Sequence, residues 1–165
     1  MNRIIYLTPH FAVTGALQPR DFPEIAARGF RSVLSNLPDG ESSQYLAASE
    51  EAELANAAGL AFRHVPAIKS EVFSDRVVDG VHLALGELGA PILAHCASGL
   101  RSAIAWAAAA ARNQPADCVI AALKIAGFDL AAIQDELEEQ QGRAHSAMIP
   151  LALDCRCGER PDRAV

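Results

Sequence analysis

The feature that most constrains the fold is a short apolar segment that passes directly into a glycine-containing loop and then into a helix. Residues 91–95 (PILAH) follow Gly89 and are apolar except for the last, which is typical of a strand buried on both faces. Such strands belong to parallel sheets that helices cover on both sides. We therefore expect the loop at 96–99 (CASG) to lie at the carboxyl edge of the sheet, where α/β proteins bind their ligands.

The rest of the chain alternates strand and helix patterns in the same way. Predicted strands cover 4–7, 11–14, 32–37, 61–65 and 91–95. Predicted helices cover 19–28, 45–58, 75–88, 100–113, 116–126 and 130–141. This order favours an α/β domain with a mostly parallel central sheet, flanking helices and a helical C-terminal part. At 165 residues the chain fits one catalytic domain, placed at 1–149, with a polar tail or linker at 150–165.

Charge and composition argue against several classes of function. The net charge of −6 offers no basic face for nucleic acid. No run reaches the roughly 18–20 apolar residues of a membrane span, and the N-terminal residues lack the signal-peptide pattern. The expected location is therefore the cytoplasm. The four cysteines do not suggest a disulfide framework. One Cys-x-Cys, Cys155 and Cys157, offers too few ligands for zinc, so neither a metal nor a cofactor is expected.

Cys96 stands where the loop concentrates positive potential. The backbone N–H groups of the loop and the N-terminal end of the next helix point at one position, which favours a thiolate over a thiol. Gly99 lets the backbone turn tightly. Arg101 adds a planar cation that can hold an anion with two parallel hydrogen bonds, and Ser102 can donate a hydrogen bond to the sulfur. We therefore expect Cys96 to be the nucleophile and Arg101 its anion clamp. The expected substrate cradle consists of Ala97, Ser98, Gly99, Leu100 and Ser102.

Four residues separate Cys96 from Arg101, and this spacing distinguishes two groups of enzymes that the loop resembles. Cysteine-dependent protein phosphatases share the His-Cys pair but place five residues there. Rhodanese-type sulfurtransferases place four, with glycine at the position of Gly99. One residue less removes up to about 3.8 Å of chain and one amide donor. Because a single sulfur atom needs less room than a tetrahedral phosphoryl group, the spacing favours sulfur transfer.

A wider resemblance covers about residues 4–141. The segments LTPHFAVTGAL, ARGFRSVLSNLPDGES, AGLAFRHVPA and PILAHCASGLRSAIAW resemble the phosphatase-like domain of the β-lactamase-hydrolase-like proteins. The resemblance implies a protein-tyrosine/dual-specificity-phosphatase-like fold, with Cys96 as nucleophile and Arg101 as clamp. Members of this family also resemble proteins that act together with the enzymes of sulfide and persulfide metabolism. In some cases they are fused to another enzyme domain. The implied partner, fused or separate, is a persulfide dioxygenase or a flavin disulfide oxidoreductase.

A phosphatase also needs a general acid, because the departing oxygen is a poor leaving group unless it is protonated. The segment 67–74, where such an acid is expected, contains Glu71 but no aspartate before Asp75. Asp75 falls in the first turn of a helix, where an acidic side chain is favoured without catalysis. Asp39 and Glu41, in the turn after the third strand, are the other candidates. Sulfur transfer needs no acid, since sulfite or a thiolate leaves unaided.

Three further residues have weaker assignments. His95 is expected to pack and hydrogen-bond behind the loop, which supports its shape. Cys155 and Cys157 are open to three interpretations: they resolve a persulfide, contribute to a metal site with other ligands, or have no function.

Three hypotheses follow. The leading one is a rhodanese-like sulfurtransferase, in which Cys96 takes the outer sulfur of thiosulfate or a small persulfide and a thiol acceptor collects it. The first alternative is a protein tyrosine or dual-specificity-like phosphatase with a phosphocysteine intermediate, whose acid is Asp75, Glu71 or Asp39. The second alternative is a non-catalytic module that binds an anion through the loop. Each takes a small anionic sulfur or phosphate compound, and none involves nucleic acid or a membrane.

Overall fold

A computed structural model describes residues 1–143 and 150–155 and contains one five-stranded sheet, in the order β1-β2-β5-β3-β4. The strands are β1 (Ile5–Thr8), β2 (Phe11–Thr14), β3 (Ser32–Ser35), β4 (Ala61–His64) and β5 (Ile92–His95). β1 runs antiparallel to β2, and the pairs β2–β5, β5–β3 and β3–β4 are parallel. The predicted α/β fold with a mostly parallel central sheet is confirmed.

The helices lie close to their predicted positions. They are α1 (Asp21–Ala27), α2 (Ala48–Ala57), α3 (Asp75–Glu87), α4 (Leu100–Ala111), α5 (Ala116–Ile125) and α6 (Gln134–Gln141). The start of α2 differs from the predicted residue 45. The Asp39 carboxylate accepts the Ala48 N–H at 2.7 Å, and the Glu50 carboxylate accepts the Ala47 N–H at 2.9 Å. Because these bonds satisfy donors that a first helical turn leaves unpaired, the helix begins there.

The central strand β5 joins two apolar layers and is buried along its whole length. Leu93 packs into the layer that contains residues of α1 and α2, whereas Ile92 and Ala94 pack into the layer that contains residues of α3 to α6. Alternate residues of a strand point to opposite faces, so a strand covered on both sides must be apolar throughout. This burial holds the end of β5, and therefore Cys96, at the centre of the sheet edge.

Helix α4 is buried over most of its surface because its sequence is rich in alanine. Small side chains let α3, α5 and α6 pack closely around it. Trp106, the largest fully buried side chain, stacks on Phe11 of β2, with ring centroids 6.2 Å apart. This packing fixes the direction of α4, so that its N-terminal end lies at the end of β5.

Residues 150–155 differ from the predicted polar tail. Leu153 is fully buried, and the carbonyl of Ala152 accepts the Trp106 indole N–H at 2.7 Å. The Cys155 thiol donates to the Gln114 side-chain oxygen at 2.8 Å. Burial of the apolar residues of this segment against α4 and α5 gives it a place in the core. Cys155 thus lies at the end of α4 away from Cys96. The prediction for Cys157 lies outside the described residues.

Candidate active site

The Cys96 side chain lies directly after β5, between the ends of the neighbouring strands β2 and β3. Cys96 is fully buried, and its thiol is not in a disulfide. The backbone N–H of Gly99, the residue before α4, donates to the Cys96 sulfur at 3.1 Å. Ser98 and Leu100 are exposed and Ala97 is half-buried. The sulfur therefore sits at the N-terminal end of a helix, beneath a rim of loop residues that face solvent.

Gly99 occupies a position that only glycine adopts easily. Its φ is +89°, and a Cβ atom there would lie 3.1 Å from the Thr14 carbonyl oxygen at the end of β2. The loop is also bonded to the residues that follow β2, since the Ala16 N–H donates to the Ala97 carbonyl at 3.2 Å. The loop is thus held in its folded-back shape by the backbone that follows β2.

We expect Gly99→Ala to lower stability more than Gly29→Ala does. Gly29 has nearly the same φ, +88°, but no atom lies within 4 Å of a Cβ placed there. The control should therefore show only the left-handed strain of about 1 kcal/mol. Gly99→Ala should add about 1–3 kcal/mol from the contact with Thr14. Urea unfolding of both variants measures the difference, and equal losses would contradict the proposed contact.

Arg101 lies on the first turn of α4 with its guanidinium facing two other segments. Its Nη1 and Nη2 groups donate to the two carboxylate oxygens of Glu41 at 2.7 and 2.5 Å. Nη1 also donates to the Ala67 carbonyl at 2.9 Å. The hydrogen bonds that Arg101 donates to Glu41 are the largest cause of its raised pKa. Burial opposes this, and the charge and hydrogen bonding of the Cys96 sulfur raise the pKa further. The guanidinium is thus held by Glu41 and the Ala67 carbonyl, and it interacts with the Cys96 sulfur.

Asn36 ties together the segments that carry these groups. Its backbone N–H donates to the His95 carbonyl at 2.8 Å, and its side-chain amide donates to the Val65 carbonyl at 2.9 Å. Its own carbonyl accepts the Ala67 N–H at 3.1 Å. Because Asn36 is fully buried, these bonds are not exchanged for water. They bring the Ala67 carbonyl to Arg101.

His95, the last residue of β5, is fully buried, and its partner is a buried acid. The His95 Nε2 atom lies 3.2 Å from each carboxylate oxygen of Glu51 on α2. Both residues are at most 1% exposed. Glu51 shares the buried face of α2 with Ala55, four residues later. An acid on the core-facing side of a helix is the sequence signal for this pair.

The predicted acids do not converge on Cys96. Asp75 pairs with Arg112 at 3.0 Å and with Arg143 at 2.7 Å. Arg112 follows α4, about 16 Å along the helix axis from Arg101. Asp75 therefore belongs to the opposite end of this helix.

The other predicted site residues have local partners. Glu71 pairs with Arg76 at 2.6 Å, and both side chains are about half exposed. Asp39 caps the start of α2. Within the described chain the Ser102 hydroxyl is buried without a hydrogen-bond partner, so the predicted bond to the sulfur is not present. Of the acids named from the sequence, Glu41 is the one that the fold brings to the loop, as a partner of Arg101.

Three contributors were not assigned their roles from the sequence: Glu41 as the partner of Arg101, Asn36 as the bridge between segments, and Glu51 as the partner of His95. Asn36 directly follows β3, at the same sheet edge as Cys96, and this position was its signal.

Comparison with known proteins places these features in a family context. The sequence model of the family "Beta-lactamase hydrolase-like protein, phosphatase-like domain" matches residues 3–113. A beta-lactamase hydrolase-like protein of Agrobacterium fabrum is 27% identical over 151 residues, which are 90% of this chain and 33% of that protein. One of Xylella fastidiosa (strain 9a5c) is 30% identical over 105 residues, 64% of this chain and 24% of that protein. The chain thus spans a third or less of the length of these relatives.

Solved structures agree on the fold. A candidate phosphatase from Neisseria meningitidis Z2491 has a TM-score of 0.71 and 25% identity, and the match covers 83% of this chain and 97% of that chain. A kinase-associated phosphatase, studied with its catalytic-site cysteine replaced by serine, has a TM-score of 0.63 and 16% identity. Its match covers 88% of this chain and 98% of that chain, and at this identity it bears on the fold alone. The resemblance inferred from the sequence is confirmed, as is the phosphatase-like fold.

Proposed function

We propose that this chain, which belongs to the phosphatase-like domain family of the beta-lactamase hydrolase-like proteins, is a cysteine-dependent phosphatase that acts through a phosphocysteine on Cys96. The observation that carries the proposal is the Gly99 N–H at 3.1 Å from the Cys96 sulfur, at the N-terminal end of α4 and beside Arg101. The phosphatase description of the Neisseria structure supports placing hydrolysis ahead of sulfur transfer.

The reaction has two steps in this proposal. A lone pair of the Cys96 thiolate forms a bond to phosphorus, while the bond from phosphorus to the leaving oxygen breaks. Water then attacks the phosphocysteine, which releases inorganic phosphate and restores the thiolate. The helix N-terminus and the Arg101 guanidinium stabilise the charge that develops on the phosphoryl oxygens in both steps.

The positions of the acids favour substrates whose leaving group needs no protonation by the enzyme. Asp75, Glu71 and Asp39 bond to Arg112, Arg76 and the Ala48 N–H. Glu41 is engaged by Arg101. Each of these carboxylates is thus held by an arginine or a backbone N–H and is not turned toward a leaving group on Cys96. Aryl phosphates and phosphoric anhydrides suit this site, because their leaving groups depart as stable anions.

Sulfur transfer is the second candidate, and the length of the loop favours it. Four residues separate Cys96 from Arg101, and of the backbone amides in the described chain only that of Gly99 is seen bonded to the sulfur. In this reaction the thiolate attacks the outer sulfur of thiosulfate, the S–S bond breaks and sulfite leaves. A thiol acceptor then removes the sulfur from the Cys96 persulfide. This reaction requires no proton donor, which agrees with the finding that the acids are bonded to other groups.

Assays with both donors decide between the candidates. We expect turnover of p-nitrophenyl phosphate and, after acid quenching, a phosphoryl group on Cys96 by mass spectrometry. The second candidate would instead be established if only thiosulfate is turned over, with cyanide as the acceptor, and if Cys96 gains one sulfur atom. If neither donor reacts and neither adduct forms, both candidates fail and the anion-binding hypothesis remains.

The partner and location assignments stay predictions. A thiol acceptor, and a persulfide dioxygenase or flavin disulfide oxidoreductase as a fused or separate partner, belong to the sulfur-transfer candidate. Among the helices of residues 1–143 and 150–155, none combines the length and apolar character that crossing a membrane requires. The cytoplasmic location is proposed on the sequence alone.

A further inference from the structure

We infer that Glu41 is a positioning residue that turns one edge of Arg101 toward the substrate and makes the site prefer singly charged anions over doubly charged ones. The inference rests on the proposed function, because it concerns the anionic group that Cys96 attacks. It names a substrate class: reacting groups with one negative charge, such as a phosphate diester or the monoanion of a monoester.

The orientation follows from the hydrogen bonds of the guanidinium. Arginine has five N–H donors in a rigid plane. The Glu41 carboxylate accepts one N–H of Nη1 and one N–H of Nη2. The Ala67 carbonyl accepts the second N–H of Nη1. The remaining Nε–H and Nη2–H groups lie along one edge of the plane. That edge is the fork available to an anion on the Cys96 sulfur, which interacts with the same guanidinium.

The turn that carries Glu41 is itself held in place. Gly40 has a φ of +76°, and the Asp39 carboxylate bonds to the Ala48 N–H at 2.7 Å. The carbonyl of Leu37, before the turn, lies 2.8 Å from His64 Nε2. Because the turn is fixed on both sides, little ordering is required to bring Glu41 to Arg101.

The preference for low charge follows from the sum of the charges. A thiolate on Cys96, the guanidinium of Arg101 and the carboxylate of Glu41 together carry one negative charge. The Arg101 side chain is 11% exposed and that of Glu41 32%, so solvent screens the group only in part. Each additional negative charge on a ligand is attracted by Arg101 but repelled by both Glu41 and the thiolate, so it meets a site whose net charge is already negative.

Two tetrahedral oxyanions of different charge test the inference without any turnover. Sulfate carries two charges and perchlorate one, and each should protect Cys96 from iodoacetamide in proportion to its binding. In Glu41→Gln, which keeps the length of the side chain but removes its charge, the sulfate-to-perchlorate affinity ratio should rise about tenfold. In Glu41→Asp, which keeps the charge, the ratio should stay near that of the unchanged protein.

The control is Glu87→Gln, the same substitution at an exposed glutamate that pairs with Arg63 at 3.0 Å. Its ratio should not change. A ratio within twofold of the unchanged protein in Glu41→Gln would overturn the inference, as would an equal rise in Glu41→Asp, which would point to a purely structural contact. Absence of protection by either anion in every variant would overturn both the inference and the anion site. Failure of the phosphatase assay with a shifted ratio would affect the proposed reaction alone.

Discussion

Replacement of Cys96 by serine should lower the turnover of p-nitrophenyl phosphate on the order of 10³-fold or more. The hydroxyl can accept the Gly99 N–H that now bonds to the sulfur, so the loop should keep its shape. A serine hydroxyl ionises far less readily than a thiol, so the nucleophile is lost while the fold remains. Initial rates and thermal unfolding of the same preparation measure the two properties separately.

Cys155→Ser is the matched control for this substitution. Cys155 is also buried, but it lies near Gln114 at the other end of α4 and bonds to that side chain, which a serine hydroxyl can also do. This variant should retain most of its activity. If Cys96→Ser keeps more than a tenth of the rate with an unchanged unfolding curve, Cys96 is not the nucleophile and both proposed reactions fail.

Arg101→Lys should lower kcat/KM about 10²-fold although the positive charge remains. Lysine offers one ammonium group in place of a planar fork, so it cannot bond to both Glu41 oxygens, the Ala67 carbonyl and an anion at once. The loss should appear in kcat as well as in KM, because the fork stabilises charge that grows in the transition state.

Arg112→Lys places the same substitution at the other end of α4. Arg112 is buried and bonds to Asp75, Asp79 and Gln140. This variant should unfold at a lower temperature than the unchanged protein while its kcat/KM stays within a few fold. Equal kcat/KM losses in the two variants would show that Arg101 acts through general stability and not through its fork.

The sequence predicted the strand-to-helix turn of the candidate site because its members are neighbours in the chain. Cys96, Gly99 and Arg101 fall within one strand-to-helix turn. The backbone of such a turn places the cysteine below the helix N-terminus once the strand is buried. The alternating pattern of strands and helices predicted the sheet for the same reason, since each element is specified by its own residues.

The partners of these residues depend on the fold of the whole chain. Glu41 is 60 positions from Arg101, and Glu51 is 44 from His95. No local pattern indicates which partner Arg101 or His95 meets. Glu41 and Asp39 are both acidic residues of the same turn. Asp39 caps α2, however, whereas Glu41 reaches the guanidinium. Asp75 is one of the candidate acids named from the sequence for a phosphatase, but α3 places it beside Arg112, away from the loop.

The sequence by itself determined the fold class, the position of the thiol at the head of a helix and the arginine on the first turn, since these follow from local backbone geometry and hydrophobic periodicity. Only the tertiary structure decided which carboxylates meet which cations. The insertion of β5 between β2 and β3 brings the ends of β3 and β4 to the loop, and with them Glu41 and the Ala67 carbonyl. Long-range ionic contacts are set by strand order and packing, which the spacing of residues along a chain does not encode.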